Sequence, residues 1–78
     1  MPLTPAQTRT LIAVFNGQVR QRYDNRGNVF LCPKGIAAAL CRRLHVQGYM
    51  EDVPGQGRRQ EYQQQLTVKG VHALGFTK

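Results

Sequence analysis

What most constrains the fold is the stretch from Lys34 to Leu66, where a helical pattern runs through a glycine into two strand patterns. Ala37, Leu40, Cys41 and Leu44 recur at the i, i+3, i+4, i+7 spacing of one helical face. Gly48 stands where a left-handed residue would end that helix, and Tyr49 follows as its apolar contact. A short apolar–polar strand comes next, then the tip Pro54-Gly-Gln-Gly-Arg-Arg59, then a returning strand. In that last strand Tyr62, Gln64 and Leu66 share a face, because side chains alternate across a strand.

Upstream, Leu3-Thr-Pro-Ala-Gln7 reads as a helix start. Thr4 caps, Pro5 takes the first helical position, and Gln7 completes a capping box. Thr8, Leu11, Ile12 and Phe15, with Val14 at the flank, are read as the buried stripe. Arg9 and Ala13 then face outward, and Gly17 ends the helix. Val19–Tyr23 and Asn28–Cys32 favour strand and flank the turn formers Asp24-Asn-Arg-Gly27, which predicts a β-hairpin. The competing reading, with Gln18–Tyr23 continuing the helix, runs against Gly17. In the hairpin Arg20 and Arg22 project from one face, with Arg26 at the tip.

Pro33 then opens the central helix. Opposite its apolar stripe lie Gly35, Ala38, Ala39, Arg42 and Val46. The small residues admit a flat partner close to the backbone, Arg42 can reach a guanine, and Lys34 and Arg43 flank it as phosphate contacts. The glycine-rich tip with Arg58 and Arg59 suits phosphate contacts that do not depend on sequence. Leu66-Thr-Val-Lys-Gly70-Val-His-Ala-Leu74-Gly closes the chain as a short helix capped by Thr67, docked by Val71 and Leu74 and ended by Gly75.

The expected architecture is therefore α+β: one small winged-helix-like domain over residues 1–78. Its order is helix, β-hairpin, helix, β-hairpin (the wing) and short helix. Burial within so short a chain is limited to ~60% of its unfolded surface. No apolar run reaches the ~18 residues of a membrane span, and Met-Pro-Leu-Thr-Pro lacks a secretory pattern, so a cytoplasmic location without a membrane partner is expected.

Charge points to the partner. Eleven Lys+Arg against four Asp+Glu leave +7, a balance that favours an anion, with nucleic acid first. The arginines cluster as Arg20/Arg22/Arg26, Arg42/Arg43 and Arg58/Arg59, and the guanidinium fork matches phosphate. Cys32 and Cys41 read as reduced small hydrophobes. A metal site from Cys32, Cys41, His45 and His72 lacks the usual paired spacings, so no metal and no cofactor is expected. Enzymatic chemistry lacks an inventory: the chain has no Ser, Glu51 and Asp52 point to opposite faces of a strand, and no phosphate-binding glycine motif occurs.

Leu3-Thr-Pro-Ala-Gln7 with Leu11, then Leu40-x-x-x-Leu44-x-x-x-Gly48-Tyr49, Gly57-Arg-Arg59 and Leu66-Thr-x-x-Gly70-x-x-x-Leu74 together resemble the DNA-binding lobe of MarR-type winged-helix regulators. The resemblance covers roughly two thirds of the chain and implies DNA contacts from Arg42, Arg43, Arg58 and Arg59. Two features differ. A hairpin stands where that family has a support helix, and its long dimerisation helices have no counterpart. The expectation is a regulatory protein that binds double-stranded DNA through Lys34, Arg42, Arg43, Arg58 and Arg59, assisted by Arg20 and Arg22, as a homodimer. The rival expectation is a phage- or plasmid-type protein-binding module that engages a host protein or nucleoprotein complex through Gly35, Ala38, Ala39 and Arg42. RNA binding by the same arginines is a third.

Overall fold

The computed structural model describes residues 3–24, 27–54 and 61–75. In order they form α1 (Pro5–Phe15), β1 (Arg20–Asp24), β2 (Gly27–Leu31), α2 (Ala38–Val46), β3 (Met50–Asp52), β4 (Glu61–Leu66) and α3 (Val68–Ala73). The expected α+β order is what the structure has, with a hairpin and not a helix between α1 and α2.

The start of α1 carries the capping box. The Gln7 amide donates to Thr4 Oγ1 at 3.1 Å, and the Thr4 amide donates to Gln7 Oε1 at 2.8 Å. Its C-terminus closes with Gly17 N–H on Val14 O and Gln18 N–H on Ala13 O, the paired bonds of a left-handed glycine cap. The same device ends α2, where Gly48 N–H bonds His45 O and Tyr49 N–H bonds Leu44 O. Thr67 caps α3, accepting the Gly70 amide at 3.2 Å.

The buried face of α1 is not the expected one. Thr10, Leu11, Ala13 and Val14 are buried, whereas Ile12 and Phe15 are exposed. Leu11 to Phe15 is apolar without a break, so pattern alone does not fix the rotation of the helix. Packing decides it: small Ala13 turns inward, and Thr10 is buried because its hydroxyl donates to Ala6 O at 2.8 Å.

The two hairpins merge into one antiparallel sheet, in the order β2-β1-β4-β3. The seam is β1 on β4, with Arg20 opposite Gln63, Gln21 opposite Tyr62 and Arg22 opposite Glu61. Alternation gives the sheet two unlike faces. Gln21, Phe30, Gln64 and Met50 lie on the face covered by the helices, and Arg20, Arg22 and Glu61 lie on the other. Leu11, Val14, Val19, Phe30, Cys41, Leu44 and Met50 make the core between the layers.

Candidate nucleic-acid interface

The central helix begins later than expected. Ile36 N–H bonds Pro33 O at 3.1 Å across a turn in which Gly35 has φ +90°. That backbone is left-handed, so Gly35 belongs to the turn and not to a helical face. Helix α2 starts at Ala38, and Ala37 is its exposed N-cap rather than part of the buried stripe. Cys41 and Leu44 are fully buried, and Leu40 is half-buried against the core.

Alanine at the cap has a chemical consequence. Ala37 offers the first amides of α2 no side-chain acceptor, and the first turn holds no acid, so the helix itself supplies no anion to its positive end. Around it Lys34, Ala38, Ala39, Arg42 and Arg43 are exposed. Among the described residues none of Lys34, Arg42 and Arg43 belongs to an ion pair. Ala38, Ala39 and Arg42 also line a cleft of about 240 Å³ whose other wall is Val29 and Phe30.

Negative charge is kept elsewhere. Asp24, Glu51, Asp52 and Glu61 all lie on strands, and the three helices carry no acid. Glu61 binds Arg22 at 2.8 Å and Arg20 at 3.9 Å on the sheet face away from the helices. Arg20 and Arg22 therefore do share a face, as expected, but it is not the face of α2, and a carboxylate already neutralises them in part. Lys69 is engaged too: its ammonium donates to Gln47 O at 2.6 Å and lies 4.6 Å from the centroid of the Tyr49 ring. Arg26, Arg58 and Arg59 lie outside the described residues, as does Gly57 of the tip. The strand ends that bound their two connections, Asp24/Gly27 and Asp52/Glu61, sit at one end of the sheet.

A part-buried polar network that sequence pattern does not reveal joins β1, β3 and β4 and brings α2 alongside. Tyr23 donates its hydroxyl to Asp52 Oδ2 at 2.7 Å, with Gln21 Oε1 3.2 Å away, and Gln64 Nε2 donates to Asp52 Oδ1 at 2.6 Å. His45 of α2 brings Nε2 to 3.8 Å from the same carboxylate and packs edge-on against Phe30. Burial, and then the bond to Asp52, push the Tyr23 phenol up from its ordinary 10.0 to about 12. Gln64, in a returning strand whose glutamines read as solvated, and Gln21 are both 1% exposed. The signal available was their register: Gln21 alternates in step with buried Val19, and Gln64 with half-buried Leu66.

Cys32 and Cys41 are free thiols with their sulfurs 3.1 Å apart. Among the described residues no group of three His, Cys, Asp or Glu could hold a metal ion. His72 is exposed on α3, and no helix among the described residues is long and apolar enough to cross a membrane. No family model, no curated protein and no solved structure matches this chain.

Proposed function

We propose that this chain is a small cytoplasmic DNA-binding protein of regulatory type, with α2 as the element that meets the duplex. The observation that carries the reading is the start of α2: an uncapped helix end, exposed alanines, Arg42 and Arg43 on an acid-free helix and Lys34 in the turn before it, none of the three in an ion pair among the described residues. Helix N-termini bind phosphate through their free amides and dipole, and small side chains let a phosphate approach them. The wing arginines Arg58 and Arg59 supply further contacts under the same reading. The strand order supports it as well, since β1 pairs with β4 and so carries α2 and the wing hairpin on one frame. That frame accords with the resemblance to MarR-type regulators, with β2 in place of their support helix.

Fluorescence anisotropy with a random duplex at several salt concentrations tests this. Lys34, Arg42, Arg43, Arg58 and Arg59 together predict a slope of log K on log salt of about −3 to −5, at ~0.9 per phosphate. Arg42→Ala with Arg43→Ala should flatten that slope by roughly 2 while leaving the melting temperature unchanged. Affinity that vanishes at physiological salt, or is indifferent to these changes, would overturn the reading.

The cleft between α2 and Val29 favours one alternative, a protein partner that packs on Ala38 and Ala39. On that reading Ala39→Trp abolishes capture of the partner and leaves weak duplex binding untouched.

A further inference from the structure

We propose that Cys32 and Cys41 form an oxidation site, a dithiol that closes to an intramolecular disulfide and ties the end of β2 to the middle of α2. The sulfurs are 3.1 Å apart, roughly 1 Å beyond the ~2.05 Å of a disulfide bond. They come from different elements, Cys32 just past β2 and Cys41 on the buried face of α2, and each is held by packing against the core. Closing the bond therefore asks for a small approach of two side chains and no exchange of secondary structure.

Access sets the order of events. Cys32 is half-buried and within reach of a small disulfide oxidant, whereas Cys41 has no exposed surface. With oxidised glutathione as oxidant, the Cys32 thiolate attacks one sulfur of the reagent and expels a glutathione thiolate, leaving a mixed disulfide on Cys32. Cys41 gives up its proton to solvent, and its sulfur attacks Cys32 Sγ. The mixed disulfide breaks and a second glutathione thiolate leaves. The protein pair loses two electrons and two protons, and glutathione disulfide becomes two thiols. Burial and the neighbouring Cys32 thiol hold the Cys41 thiol up at about 12, which makes Cys32 the nucleophile in the first step.

The loop closed by this bond contains the Pro33–Ile36 turn and the uncapped start of α2. Oxidation thus fixes the segment that carries Lys34, Ala38 and Ala39. A tighter grip on duplex DNA in the oxidised form follows, a step that rests on the DNA-binding reading; the disulfide itself does not.

The test treats the reduced protein with oxidised glutathione and follows intact mass, free thiols and thermal unfolding. The expected product has lost two hydrogen atoms, offers no thiol to an alkylating reagent, and runs as a monomer without reductant. Its melting midpoint should rise by roughly 10 °C and return with dithiothreitol, as closure of a loop of this length predicts. Cys32→Ser, at a half-buried position, should melt at the same temperature with and without oxidant. A lasting glutathione adduct on Cys32, cross-linked dimers as the main product, or an oxidised form that melts no higher would overturn the proposal. Duplex affinity is measured on the same two forms, so a failure of DNA binding and a failure of the disulfide are seen separately.

Discussion

At the scale of single residues, Gly70 shows how far tertiary packing overrides local preference. In an exposed helix Gly→Ala stabilises by ~1 kcal/mol. A Cβ at Gly70 would instead run into the Tyr49 carbonyl oxygen, with Leu66 also in contact. Gly70→Ala is therefore expected to destabilise by ~1–3 kcal/mol as α3 is pushed off the sheet; a denaturant midpoint at or above that of the parent would refute the close approach. Leu44 has no exposed surface and sits among the core residues, so Leu44→Ala should cost ~2–5 kcal/mol in the same measurement. Leu44 was legible in the sequence because its spacing to Leu40 and Cys41 admits one helical face. The inward turn of Ala13 was not, since an unbroken apolar run gives the helix no preferred side. Gln21 and Gln64 escaped for another reason: their partners, the Tyr23 hydroxyl and the Asp52 carboxylate, are brought to them only by the fold, Asp52 from another strand.

At the scale of elements, caps were the most readable features, because each is a local bargain between a side chain and backbone within a few residues. Thr4, Gly17, Gly48, Thr67 and Gly75 all act where the sequence places them. The start of α2 was misplaced by the same kind of reasoning. Proline suits a helix start, but here it opens a turn whose third residue, Gly35, takes a conformation that helices do not contain. The resulting uncapped end gives a two-sided prediction. Ala37 already has the extended backbone of a cap, with φ −79° and ψ 130°. Ala37→Asp should stabilise the domain by ~0.5–1 kcal/mol by accepting the free amides. It should also weaken duplex binding, because the carboxylate takes the place proposed for phosphate. A variant that is more stable and binds DNA as well as the parent would separate the helix end from the function.

At the scale of the whole molecule, two protonated groups report on the layers they join. Tyr23 links β1 to β3 through Asp52, and Cys41 packs α2 on the core; burial pushes both to about 12, from 10.0 and 9.0. Each keeps its proton to higher pH in the fold than in the unfolded chain. Their contribution is complete below the unfolded values and is lost as pH rises from those values through about 12. Thermal unfolding followed from neutral to strongly alkaline pH should show a midpoint that declines only above about 9, and Tyr23→Phe should remove the upper part of that decline. A midpoint flat to pH 12 would contradict the burial of both groups.

The seam between β1 and β4 also bears on how the chain is made. Arg20 to Arg22 find their partners at Glu61 to Gln63, some forty residues later. While a nascent chain emerges, β1 and β2 have only each other, and an isolated hairpin is marginal in water. The sheet cannot be completed until β4 has left the ribosome. Synthesis therefore runs well ahead of folding, and rare codons placed before Glu61 should prolong the time during which Val19 and Phe30 are exposed to chaperones and proteases.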